Sequence, residues 1–180
     1  MRVPRVPKVP WVPKVLVPGV HRVTEAITVQ SAPMRVALGA DHAGFELKNA
    51  LKQVLDELGV TYDDLGTNAA DSVDYPDYAQ AVAKGIVDGR FDRGILVCGS
   101  GIGMSIAANK VHGIRAAVVT EAESARLSRA HNDANVIALG ARLTSESQAA
   151  EIVRTFLKTE FQGGRHADRV AKIRVLENLR

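Results

Sequence analysis

From residue 34 onward the chain alternates short apolar runs with stretches of helical period. Residues 35–39, RVALG, read as a strand. Behind them Leu47, Leu51, Val54, Leu55 and Leu58 recur at i, i+4, i+7, i+8 and i+11, the stripe of one amphipathic helix, and Gly59 supplies a stop. Residues 60–65 form a second, weaker strand pattern. A helix opened by Pro76 follows, with Ala79, Val82, Ala83 and Ile86 on its inner face. The same alternation predicts strands at 94–97, 115–119 and 135–139, with helices at 104–110 and 122–129 between them. Ser145 and Gln148 have the spacing of a capping box, and Ala149, Ile152, Val153 and Phe156 make the apolar face behind it. Five strands, each followed by a helix, imply an α/β fold: a doubly wound, Rossmann-like five-stranded parallel sheet with helices on both faces, binding ligands beyond the carboxyl ends of its strands.

Length and composition narrow this further. A chain of 180 residues is enough for a single domain with a real core and short for two. One cysteine excludes an internal disulfide, so the fold rests on burial and suits a reducing cytoplasm. No apolar run approaches the roughly 20 residues that cross a bilayer, which argues against a membrane role. The net charge of +3 belongs to the first segment: residues 1–33 carry five basic residues against Glu25, and residues 34–180 are left at −1. A nucleic-acid surface on the folded part has little electrostatic support. Residues 1–33 hold six of the seven prolines in a basic-Val-Pro repeat, so this extension is expected to be disordered, with Met34 as the functional start of the domain at 34–180.

The chemistry gathers at predicted strand ends. The first strand runs into Gly39-Ala40-Asp41-His42-Ala43-Gly44, the third into Cys98-Gly99-Ser100-Gly101-Ile102-Gly103, and His131-Asn132-Asp133 precedes the fifth. These segments are expected to converge on one crevice. Glycines at 99, 101 and 103 before a helix form an anion cradle. Met104 occupies the place of the third glycine of a dinucleotide fingerprint, and the Lys-Ser/Thr of a P-loop is missing. Cys98 reads equally as a reactive thiol or as a small buried hydrophobe. It has no cysteine partner and no histidine pair at ligand spacing, so no metal is expected. His42 and His131 are candidates for acid–base work, and Asp41 for that work or for a helix cap. Arg165 and Arg169 share a helical face and, with Arg142, suit a phosphate or a solvated basic surface.

Six stretches together, GADHAGFELK (39–48), DYPDYA (74–79), CGSGIGMSIAANK (98–110), GIRAA (113–117), LSRAHNDANVIALGAR (127–142) and GGRHADRV (163–170), resemble the type B ribose-5-phosphate isomerase family, which includes galactose-6-phosphate isomerase subunits and allose-6-phosphate isomerases. The resemblance covers essentially all of residues 34–180. It implies an aldose–ketose isomerase, most directly for D-ribose 5-phosphate and D-ribulose 5-phosphate in the non-oxidative pentose phosphate pathway, working through a cis-enediolate without metal or organic cofactor. It makes Cys98 the proton-carrying base and Ser100 the hydroxyl that moves a proton between O1 and O2. His131 becomes the acid that opens the furanose ring, assisted by Asp41. The backbone of Gly99, Gly101, Ile102 and Gly103 would hold the enediolate; Asn132 and Tyr75 would border the sugar; His42, Arg142, Arg165 and Arg169 would grip the phosphate. Met104 stands where one branch of the family has a catalytic glutamate, so the chain resembles the cysteine branch. The resemblance also implies a homodimer or homotetramer whose active sites are shared between subunits. Alternatives are the same chemistry on a hexose 6-phosphate and a phosphosugar-binding module without catalysis.

Overall fold

The computed structural model describes residues 33–179; the expectations for the Pro-rich extension fall on residues outside these, apart from Pro33. The described residues form five strands: β1 (Arg35–Ala40), β2 (Thr61–Asp64), β3 (Arg93–Cys98), β4 (Ala116–Val118) and β5 (Val136–Gly140). All pair in parallel, in the order β2-β1-β3-β5-β4. The helices are α1 (Phe45–Glu57), α2 (Tyr75–Val87), α3 (Ile102–Ala108), α4 (Ala122–Asn132), α5 (Glu146–Lys158) and α6 (Arg165–Leu176).

The two faces of the sheet follow from the period of two along each strand. Ile95 and Val97 of β3 join Val36, Leu38, Ile137 and Leu139 beneath α1 and α5. Leu96 and Cys98, pointing the other way, join Ala37, Val136 and Ala138 beneath α2 and α3. Cys98 is thus both the last core residue of β3 and the first residue of the glycine loop. Close approach of α2 depends on missing side chains: a Cβ at Gly94 would sit 2.7 Å from Val82 and 2.9 Å from Ile86. The capping box expected at Ser145 and Gln148 is present at the start of α5.

Helix ends are where pattern and structure differ. α3 starts two residues before the sequence suggests, because Gly101 takes a left-handed conformation (φ 78°) as its N-cap and Ile102 and Gly103 enter the first turn. α4 continues beyond Arg129 through His131 and Asn132.

Successive strands on either side of β1 make its carboxyl end, and that of β3, the point at which the winding of the sheet reverses. Behind β1 the chain turns at once. Asp41 accepts a hydrogen bond from the Gly44 amide at 2.9 Å and caps the short turn His42–Gly44 that leads into α1. Lys48 of α1 is fully buried and donates to both Asp64 oxygens (2.8 and 2.7 Å) and to the Thr67 carbonyl (2.7 Å). Burial would raise the Asp64 carboxyl, but hydrogen bonds from Lys48, Lys52 and the Gly66 amide outweigh it and hold the group below the usual carboxylate range. The pair fixes the loop after β2 against β1, where the Thr67 amide donates to the Ala40 carbonyl at 2.9 Å.

Gly44 lies so close to β3 that a Cβ would overlap the Val97 carbonyl. Gly44→Ala is expected to cost about 1–3 kcal/mol by forcing backbone apart. Denaturant unfolding measures that loss; a variant as stable as the wild type would show that the turn can move away from β3.

Candidate active site

The turn after β1 and the loop after β3 enclose a crevice of about 340 Å³, and the segment after β5 closes one side of it. Its walls include Asp41, His42, Tyr75, Cys98, Ser100 and Arg142. Backbone bonds lock the two later loops together: the Ala141 amide donates to the Cys98 carbonyl at 2.8 Å and the Arg142 amide to the Gly99 carbonyl at 3.1 Å.

Each glycine of the loop has its own reason to lack a side chain. The Arg142 guanidinium lies over Gly99, whose Cβ would stand 3.3 Å from Cζ. Gly101 needs its positive φ and also packs on the backbone of Ala138 and Leu139. The Tyr75 ring covers Gly103, 2.7 Å from where a Cβ would be. The glycines therefore bring an arginine, an aromatic ring and the end of β5 against a single strand of backbone.

Cys98 is nearly buried, and the Gly101 amide donates to its Sγ at 3.1 Å. The sulfur is thereby oriented as an acceptor beside the crevice. The Ser100 hydroxyl oxygen, two residues on, accepts from the Ile102 amide at 3.4 Å. His42 is held through one nitrogen: the Val73 amide donates to Nδ1 at 3.2 Å, and the Val73 carbonyl stands 3.3 Å from the same atom. A neutral ring protonated at Nε2 accepts from the amide, and one protonated at Nδ1 donates to the carbonyl, so Val73 holds the ring in either tautomer. Met104 is fully buried in the core under α3 and is not among the residues lining the crevice. Among the described residues, no group of three or more His, Cys, Asp or Glu side chains is arranged to hold a metal ion.

The expected convergence of three segments on this crevice is corrected. In a parallel sheet the helices run back against the strands, so the end of α4 lies at the amino edge, opposite the carboxyl ends that carry the crevice. His131 and Asn132 sit there. Asn132 borders a separate cavity of about 260 Å³ beside β4, together with Arg115 and Ile173. The His131 ring stacks on His166 of α6, with centroids 4.2 Å apart and planes 2° from parallel. Arg165 and Arg169, exposed on the first turns of α6, flank His166 in sequence. One chain therefore divides the candidate residues between two edges: Asp41, His42, Tyr75, Cys98, Ser100 and Arg142 at one, His131, Asn132, Arg165 and Arg169 at the other.

His166 was not singled out by spacing, although its motif was; only the packing of α6 on α4 reveals its partner. Burial, reinforced by His131, Arg165 and Arg169, holds His166 below the ordinary histidine value of 6.5. As pH falls through about 6.5 the unfolded chain binds a proton that the folded chain refuses, so the contribution of this stack is complete above that pH and lost below it. Wild-type stability should fall on the acid side, and His166→Phe, which keeps an aromatic face, should flatten the slope. Denaturant unfolding at several pH values checks this; parallel slopes would remove His166 as the source.

Residues 36–173 match the family model of the ribose/galactose isomerases. Ribose-5-phosphate isomerase B of Escherichia coli is 47% identical, over 81% of this chain and 98% of that protein. A D-erythrulose-4-phosphate isomerase of Pectobacterium atrosepticum is 45% identical, over 81% of this chain and 96% of its own length. The structure of Clostridium thermocellum ribose-5-phosphate isomerase B superposes with a TM-score of 0.80 at 51% identity, covering 81% of this chain and 99% of that one.

Proposed function

The chain belongs to the ribose/galactose isomerase family, and from that membership we propose that it interconverts D-ribose 5-phosphate and D-ribulose 5-phosphate through a cis-enediolate. It is an aldose–ketose isomerase; the five-carbon substrate and the roles of individual residues are this proposal. The observation that carries it is Cys98, whose sulfur is fixed by the Gly101 amide at the wall of a crevice that also presents Ser100, Asp41 and Arg142.

In the open-chain aldose, the Cys98 thiolate removes the C2 proton and the electron pair forms a C1–C2 double bond, leaving negative charge on O1. Loop amides from Gly99 to Gly103 hold the oxygens where that charge develops. The Ser100 hydroxyl passes the O2 proton to O1, and Cys98 returns its proton to C1, generating the C2 carbonyl. His42 and Arg142 hold the phosphate and so keep the reacting carbons against the sulfur.

The remaining roles belong to a second copy. His131 opens the furanose ring with Asp41 assisting, Asn132 binds sugar oxygens, and Arg165 and Arg169 complete the phosphate grip. Two observations support a homodimer, or a tetramer built from it. The two sets of residues stand at opposite edges of one sheet, and α3 and the crevice rim expose Ile102 (54%), Ile106 (56%) and Leu143 (63%), apolar surface suited to cover by another chain.

Cys98→Ser is expected to keep the fold and lose at least about 100-fold in turnover of ribose 5-phosphate, since the alcohol is a far weaker base than the thiolate. Assay of kcat/KM on ribose 5-phosphate, allose 6-phosphate, galactose 6-phosphate and erythrulose 4-phosphate ranks the substrates. A preferred hexose or tetrose would retain the mechanism and replace the pentose.

Shared sites make a second prediction. Cys98→Ser and His131→Asn are each inactive alone. A mixed dimer contains one site with both residues intact, so mixing after dissociation should restore about a quarter of wild-type activity. No recovery in a mixture shown by mass to contain mixed dimers would place each complete site within one chain.

A further inference from the structure

Asp133 closes α4 in the left-handed conformation (φ 47°), and among the described residues no other residue except glycine has positive φ. Its amide donates to the Arg129 carbonyl at 3.1 Å and the Ala134 amide to the Ser128 carbonyl at 3.0 Å, so the turn terminates the helix as a glycine would. Glycine takes such a conformation without steric cost, whereas a residue with a Cβ is held there against its preference.

What the carboxylate adds is a bracket. Asp133 Oδ1 accepts from Arg129 Nη1 and Oδ2 from Arg115 Nη2, both at 2.8 Å. Arg129 is 1% exposed and also donates to the carbonyls of Ala134 (2.7 Å) and Thr159 (3.3 Å). Arg115 Nε donates to the carbonyls of Asn132 (3.1 Å) and Asp133 (2.9 Å), and its amide donates to Asn135 Oδ1 at 2.8 Å. One side chain thus ties the end of α4 to a buried cation within the helix and to an arginine on the strand side. His131 and Asn132 occupy the last two positions of that helix.

We propose that Asp133 is a positioning residue: it forgoes the ease of glycine to fix the end of α4, so that His131 and Asn132 reach the crevice of a second copy in one orientation. The proposal rests on the ring-opening role given to His131 above.

Its test separates ring opening from proton transfer. Ribulose 5-phosphate cannot close a furanose, because its C5 oxygen carries the phosphate, and it enters as the open chain. Exchange of its C1 proton with solvent deuterium therefore reads abstraction and return of the proton without ring opening. Asp133→Asn keeps the shape and a tolerance of left-handed backbone but removes the charge that both arginines use. This variant is expected to melt within about 8 °C of the wild type. It should isomerise ribose 5-phosphate about 10- to 100-fold more slowly, while C1 exchange at saturating ribulose 5-phosphate, where a weakened sugar contact of Asn132 no longer limits, stays at the wild-type rate. Arg115→Met, which opens the same bracket from its partly exposed side, should give the same split and serves where the Asn variant does not fold. Equal losses in both assays, or no loss in a folded variant, would overturn the positioning role. His131→Asn is the reference: if it slows exchange and isomerisation alike, the ring-opening assignment fails and the proposal falls with it. A wild type that neither isomerises nor exchanges defeats the pentose reading itself, and the proposal with it.

Discussion

Parallelism is the constraint on which the rest of this molecule depends. Every loop that follows a strand lies at one edge of the sheet, and every segment that precedes one lies at the other. That rule puts the turn after β1, the loop after β3 and the segment after β5 side by side, and it sends the end of α4 to the far edge. The same rule that assembles a crevice from distant stretches of sequence also prevents one chain from bringing His131 to it.

Within the crevice, short backbone approaches do most of the shaping. Gly44 lets the turn after β1 lie on β3, Gly140 lets Ser100 lie on the end of β5, and the loop glycines admit Arg142 and Tyr75. Polar bonds then fix what packing has brought near. The sulfur of Cys98 is tied by an amide of its own loop, and His42 by the backbone at Val73, which in turn ends a loop anchored through Asp64 and the buried Lys48. Positional control of the candidate groups is therefore spread over four loops.

Much of the fold was legible in the sequence because strands buried on both faces appear as unbroken apolar runs, as in residues 94–97. Helix ends were less so. The start of α3 was hidden by glycines that usually oppose helix, and the end of α4 by Asp133, which ends a helix in the place where glycine would have announced it. At Cys98 and Asp41 the quieter reading holds and a position is added to it: Cys98 is a core residue that also borders the crevice, and Asp41 caps a turn while lining the same space. Lys48 and His166 were invisible as a buried cation and a stacked ring, since each depends on a partner far along the chain.

The double contact at His42 ties two distant loops through one ring. Because Val73 offers Nδ1 both a donor and an acceptor, the ring keeps a backbone partner in either neutral tautomer. Its place in the wall of the crevice is thereby set by the loop that precedes α2 and not by the ring's own hydrogen, so this side of the crevice keeps its shape whichever nitrogen is protonated.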